Sequence, residues 1–258
     1  MCLILFAYKM HPSYRLILAA NRDEFYDRPS APAAFWEDKP KILGGRDLKE
    51  GGTWFGITRE GKFAAITNYR DPTAIKTGAP SRGRLVSNFL SGRKSARSYV
   101  NKISGSSHDY NGFNLLCGDN EEFFVYSNRG ETQKLEPGIY GLSNRFLDSP
   151  WPKVVRGKKA LAAAMKEKGD LLETALFTVL ADRKVAPDHK LPSTGIGLDW
   201  ERLLSSIFIK SSIYGTRSSA VLLIAKNKRV KFVEKVFDRE SEPWIESRFS
   251  FLIAGGKK

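Results

Sequence analysis

The order of apolar runs along the chain predicts an α+β fold in which helices cover antiparallel sheets. Three observations carry that expectation. Short runs rich in β-branched and aromatic residues come in pairs around turn-forming residues. Stretches with helical apolar spacing separate the pairs. The 258 residues contain no repeat and no low-complexity linker, so one domain spanning 1–258 is expected.

The first hairpin is residues 2–8 and 14–20, around Lys9-Met10-His11-Pro12-Ser13. The second, 54–58 and 62–67, turns at Arg59-Glu60-Gly61, and the third, 113–117 and 122–127, turns at Gly118-Asp119-Asn120. Residues 139–143 form a short strand. A last hairpin joins 219–225 to 230–237. Helical spacing marks 84–90, 96–103, 152–167 and 170–181. Asp199 is placed to cap a short helix reaching Ile207. Residues 187–197 read as an exposed loop.

Composition narrows the class. Hydrophobic residues make up 41% and charged residues 27%, as in ordinary globular proteins. No apolar run approaches a membrane span, so stable membrane insertion is not expected. The opening MCLILFAY has no basic segment before it and reads as a strand rather than a signal peptide. Two cysteines, Cys2 and Cys117, make no disulfide framework, and a cytoplasmic location is the default. Lys and Arg total 42 against 28 acids, a net charge of +14. The densest basic stretches, 93–102 and 153–168, read as solvated faces of amphipathic helices. No RNA-binding signature or zinc-finger spacing is present, so no nucleic-acid partner is expected. Attraction to an anionic small molecule is the second reading of the charge.

The chemistry centres on Cys2. Removal of Met1 would make it the N-terminal residue, and a free α-amine with a reference pKa of about 7.7–8.0 can serve as the thiol's base. Nucleophile and base then sit on one residue, and none of the three histidines stands in a triad context. On position alone, a small apolar residue opening a strand is the simpler reading of Cys2. If Tyr8 pairs with Arg15 in the first hairpin, Cys2 pairs with Asn21. Asn21-Arg22-Asp23-Glu24 then emerge beside the thiol. Asp23 is placed to hold the ammonium form of the amine, and Arg22 to favour the thiolate or hold a carboxylate. A surface turn after the strand explains the same block equally well. Asn68 and Asn144 fall at strand ends, where an amide or backbone N–H can stabilise an oxyanion. Singly, each reads as a turn residue. Arg217 precedes the last hairpin and is a candidate for an anionic substrate group, or a solvated loop residue. Gly44-Gly45 and Gly51-Gly52 indicate tight turns or close backbone approach, without a P-loop or dinucleotide fingerprint. Cys117 reads as a small core residue.

Several blocks together resemble the NRDE-motif family, also called the transport-and-Golgi-organization family. They are Met1-Cys2, Asn21-Arg22-Asp23-Glu24-Phe25 with Arg28-Pro29, Gly44-Gly45-Arg46-Asp47, Gly52-Thr53-Trp54-Phe55-Gly56, Thr67-Asn68-Tyr69-Arg70, Gly141-Leu142-Ser143-Asn144 and Tyr214-Gly215-Thr216-Arg217-Ser218-Ser219. The chain is more distantly similar to cysteine N-terminal-nucleophile hydrolases such as penicillin V acylase and bile salt hydrolase. That resemblance implies a four-layer αββα sandwich, with hydrolysis or acyl transfer on an amide or thioester through Cys2. It implies Cys2, Asp23, Asn68 and Asn144 as catalytic residues, with Asn21, Arg22 and Arg217 binding substrate. In those hydrolases an arginine precedes the Asn-x-Asp element. Here that position is Ala20. No cofactor is required and no metal site is expected. Members of the NRDE family are linked to haem mobilisation and to lipid or acyl-coenzyme A handling, so a carrier of haem or acyl-coenzyme A in the same cleft is the alternative. No Cys-Pro dipeptide or c-type haem attachment motif accompanies it. A homodimer is compatible with the fold.

Overall fold

The computed structural model of the chain describes residues 2–237 and 243–254. Strand β1 (Cys2–Tyr8) is buried along its length except at Cys2, which is half-buried. Burial on both faces accounts for its unbroken apolar sequence. Strand β2 (Tyr14–Phe25) runs five residues beyond the expected 14–20. The polar block Asn21-Arg22-Asp23-Glu24 is therefore strand and not a surface turn. It stays in the sheet because all four residues pair with β11 (Tyr214–Ala225), and Asn21 and Arg22 pair with β1 as well.

Strands β10 (Gly138–Leu142), β12 (Arg229–Val236) and β13 (Ile245–Leu252) complete the first sheet, in the order β10-β1-β2-β11-β12-β13. The second sheet takes β3 (Ser30–Phe35), β4 (Ile42–Asp47), β5 (Phe55–Thr58), β6 (Phe63–Asn68), β7 (Phe113–Gly118), β8 (Phe123–Ser127) and β9 (Thr132–Lys134) in sequence order. Every pairing among the described strands is antiparallel.

Three apolar layers hold the sandwich. Between the sheets lie Phe6, Leu18, Phe55, Phe63, Phe123 and Phe232. Helices α1 (Gly83–Ser91) and α2 (Ala96–Ser104) cover the second sheet with Leu85, Val86, Phe89 and Val100. Cys117 is buried in that layer, as its hairpin position implied. Helices α3 (Pro152–Ala164) and α4 (Gly169–Leu180) cover the first sheet, burying Val154, Leu161, Leu172 and Leu176 on Leu3, Leu5 and Ile17. The four layers are αββα, as the resemblance implied.

Several local expectations need correction. Helix α5 (Leu198–Leu203) is shorter than expected and is entered through Gly197 at φ 85°, with no side-chain cap; Asp199 lies inside it and pairs with Arg202 at 3.1 Å. The basic stretch 153–168 is not wholly solvated, since Lys153 is buried. Strands β3, β4, β9 and β13 were not anticipated. Pro32 in β3 and the two glycines in β4 obscure the strand pattern. Those glycines serve close approach, the second of their two readings. A Cβ on Gly44 would stand 2.5 Å from the Phe55 carbonyl oxygen, and one on Gly45 would stand 2.4 Å from the Trp54 ring.

Gly44→Ala is therefore expected to lower stability by about 1–3 kcal/mol. In denaturant unfolding the midpoint should fall with the slope unchanged. An unmoved midpoint would show that β4 does not lie this close to β5.

Candidate active site

The hairpin register sets the site. Lys9 takes φ 55° and its N–H bonds the Arg15 carbonyl at 2.8 Å, so Tyr8 pairs with Leu16 and Cys2 with Arg22. The expected pairing of Cys2 with Asn21 is thus one residue out. A one-residue slip exchanges the faces of a strand. Ile4, Phe6, Leu18 and Ala20 face the inter-sheet core, and Leu3, Leu5, Ile17 and Ala19 face the helices. Cys2 and Arg22 belong to the first set by alternation, Asn21 and Asp23 to the second. Position 22 shares a face with Ala20, so the arginine appears on the thiol's side two residues later.

Arg22 is 5% exposed. Its guanidinium lies over the Trp54 ring at 4.2 Å, and its Nη1 has no hydrogen-bond partner among the described residues. A desolvated cation–π contact of this kind is worth about 2 kcal/mol. Burial raises the Cys2 thiol above its ordinary value, and the Asp23 carboxylate adds to that; the chain's N-terminal ammonium, then the Arg22 charge and a hydrogen bond from the Asp23 backbone N–H work against it. The thiol therefore needs a base to react. Asp23 is 1% exposed and accepts from the Thr216 hydroxyl at 2.8 Å.

Asn68 ends β6 and, with Cys2 and Arg22, lines a cavity of about 190 Å³. Asn144 is fully buried behind it. Its Nδ2 donates to the Asn68 carbonyl at 2.9 Å, its carbonyl accepts from the Arg70 N–H at 2.7 Å, and Ser143 Oγ lies 3.2 Å from both Asn144 Oδ1 and the Cys2 carbonyl. A carboxamide nitrogen has two hydrogens, so one donor remains beyond the Asn68 bond. Cys2, Arg22, Asp23, Asn68 and Asn144 are thus gathered at one end of the sandwich.

Asn21 and Arg217 are not. Asn21 Nδ2 donates to the Leu180 and Ile207 carbonyls, both at 2.9 Å, and its Oδ1 accepts from Ser219 at 2.6 Å. It ties the C-terminal end of α4 to the sheet. Arg217 sits at a bulge between Thr216 and Ser218, and its Nη1 donates to the carbonyls of Phe25, Tyr26 and Arg28. Sequence reasoning missed other lining residues: Arg28, bound to Asp47 through Nε and Nη2 at 3.0 and 2.6 Å; Trp54; and Arg82 at the entry to α1. Arg28, Asp47 and Trp54 lie in blocks that carried the resemblance. Nothing in the sequence around Arg82 singles it out. No group of three or more metal-ligating side chains occurs among the described residues, and no described helix is long and apolar enough to cross a membrane.

The profile of the family described as Transport and Golgi organisation 2 matches residues 1–239. The chain belongs to that family. It is 37% identical to the mouse Transport and Golgi organization 2 homolog over 275 residues, covering 98% of this chain and 99% of the mouse protein. The human homolog is 38% identical with the same coverage. Among solved structures, an ortholog of N-acylethanolamine-hydrolyzing acid amidase from Caenorhabditis elegans superposes with a TM-score of 0.52 at 12% identity, over 86% of this chain and 92% of that one. A mutant conjugated bile acid hydrolase from Clostridium perfringens gives 0.52 at 8%, over 98% and 92%. At such identities the likeness concerns the fold, which is that of the N-terminal-nucleophile hydrolases.

One further acid stands behind the cavity of this family member. Glu234 on β12 is 1% exposed, and its Oε2 accepts the Ala33 N–H at 2.6 Å. Burial pushes its carboxyl up to about 7, against the Ala33 bond, the Ser218 hydroxyl and the Arg22 charge. The folded state then binds this proton more tightly than the unfolded chain does. Its contribution to stability is present at low pH and is lost as pH rises from about 4.5 to about 7. Glu234→Gln should flatten that fall and raise stability above pH 7 by up to about 3 kcal/mol. Denaturant melts at several pH values test this, and an unchanged pH slope would refute it.

Proposed function

We propose that the protein is an N-terminal-cysteine hydrolase or acyltransferase acting on an amide or thioester of a small anionic substrate. The observation that carries the reading is the meeting of Cys2 with two arginines, Arg22 and Arg82, around the 190 Å³ cavity. The other charges there are already paired. Arg28 holds Asp47 and lies 4.0 Å from Glu24, and Arg84 lies 4.0 Å from Glu50. Arg22 and Arg82 have no carboxylate within 4.0 Å among the described residues, so a substrate carboxylate or phosphate is their natural counter-charge.

The reaction follows from those positions. Release of Met1, which lies outside the described residues, frees the Cys2 amine. The amine takes the thiol proton and the thiolate attacks the substrate carbonyl carbon. Negative charge on the carbonyl oxygen is met by Asn68 and by the remaining donor of Asn144. The leaving amine or thiol departs with the proton, leaving a thioester on Cys2. Water then gives hydrolysis, and another nucleophile gives acyl transfer.

The competing reading is a carrier of haem or acyl-coenzyme A. The cavity falls below the ~300–1,000 Å³ of pockets that enclose a drug-sized ligand, which favours a small reactant over an enclosed haem.

Intact mass before and after an acylating thiol probe tests the proposal. Loss of Met1 with a single adduct at Cys2 is expected, and Cys2→Ala should remove both labelling and turnover while the protein folds. Retained Met1, or no adduct at Cys2, would overturn the nucleophile role in favour of the carrier. Once a substrate is found, Arg82→Gln should raise KM by about ten- to a hundredfold, the loss of one charge-assisted contact. An unchanged KM would remove Arg82 from substrate binding.

A further inference from the structure

Lys153 stands where physical chemistry argues against a lysine. It lies in the first turn of α3, where the helix dipole disfavours a cation. Its side chain is 1% exposed, and its Nζ makes no hydrogen bond among the described residues. An apolar residue of similar volume would sit there without the desolvation cost. A buried charge that packing does not need calls for another account.

The neighbours supply one. The charged and titratable groups around Lys153 are Asp23 from β2, Arg70 from the segment after β6, Cys2 from β1 and Glu201 from α5. Arg70 Nη1 and Glu201 Oε2 meet at 2.6 Å, both side chains almost fully buried, and form an ion pair of their own, while Arg70 Nε and Nη2 have no hydrogen-bond partner among the described residues. Of the acidic groups around Lys153, Asp23 acts on it most strongly, ahead of Cys2 and Glu201. The dependence runs both ways. Burial drives the Asp23 carboxyl towards its neutral form, and Lys153 is the largest influence opposing that, ahead of the chain's N-terminal ammonium and the Thr216 hydroxyl; Glu24 works with burial. Burial likewise brings the Lys153 ammonium down to about 8, and Asp23 is the largest influence holding it up.

We infer that Lys153 is a positioning residue whose ammonium keeps the Asp23 carboxylate ionised, and so able to hold the amino group of a processed Cys2. The role rests on Cys2 being the reacting residue. It places the reactive end of β1 under the control of a helix on the far side of the sheet. Lys153 itself touches no substrate, because its face of the sheet is the one packed on α3 and α4.

The test measures Cys2 alkylation by iodoacetamide as a function of pH, on full-length protein shown by intact mass to lack Met1. Buried Cys117, whose thiol burial also pushes well up, serves as the unreactive internal control. The unsubstituted protein gives the reference profile, to which the Cys2 amine, the Cys2 thiol and Lys153 all contribute. Lys153→Met should change the shape of that profile, because burial then favours the neutral Asp23 carboxyl and the carboxylate that forms as pH rises repels the forming thiolate. Lys153→Arg, which keeps the charge, should retain the reference shape. In an Asp23→Asn background, Lys153→Met should act only through the direct Lys153–Cys2 interaction and displace the profile far less. A Lys153→Met profile identical to the unsubstituted one, or an equal displacement in the Asp23→Asn background, would overturn the inference. Should Lys153→Met fail to fold without the ammonium beside Asp23, the double variant removes both charges at once and still gives the decisive comparison with Asp23→Asn. The readout is thiol reactivity and not turnover. A protein that proves to hydrolyse nothing therefore fails the proposed function without deciding this point, and the reverse also holds.

Discussion

Strand β2 carries three consecutive polar residues into the interior and a fourth to its rim, and each buried one must find a partner or the strand leaves the sheet. The cost of an unpaired buried charge is several kcal/mol. The surrounding architecture answers that demand residue by residue. Asn21 bonds two carbonyls and a serine hydroxyl on the helix side. Arg22 lies on Trp54 from the opposite sheet. Asp23 takes the Thr216 hydroxyl and faces Lys153. Glu24, at the rim, lies 4.0 Å from Arg28. The pairing of β2 with β1 on one edge and β11 on the other holds these side chains in register with the thiol of Cys2.

How much of this was legible in the sequence depended on where the signal resides. Both strands of the first hairpin, the helix pairs and the final hairpin announced themselves through apolar spacing, and β1 begins and ends where expected. The end of β2 did not. Its last residues are polar, and only contacts from distant segments make burial there tolerable. The register was missed for a local reason, because Lys9 adopts a left-handed backbone conformation that a lysine rarely takes. Strands β3 and β4 were hidden by Pro32 and by glycines that serve inter-strand approach, not turning.

The site divides in the same way. The family blocks pointed to Cys2, Arg22, Asp23, Asn68 and Asn144, and the fold draws those five together. They also pointed to Asn21 and Arg217, which the fold uses to fasten its own backbone. A motif records that a residue is needed without recording what for. Asn21 and Arg22 are adjacent in sequence and point to opposite sides of a sheet, and alternation under the true register separates their roles. Arg82 and Lys153 come from helix entrances whose sequences carry no mark of the cleft. Only the tertiary fold brings them to Cys2.

The cleft is also built from two halves that share no backbone pairing. Cys2, Arg22 and Asp23 ride on one sheet; Asn68 belongs to the other, and Trp54 and Arg82 border it. The spacing between them is set by the phenylalanine-rich layer in which Phe55 meets Phe232 and Phe63 meets Phe123. The thickness of that hydrocarbon layer is thus a working dimension of the cleft. Evolution can widen or narrow the mouth by exchanging a ring for a smaller side chain deep in the sandwich, leaving every polar residue of the site in place.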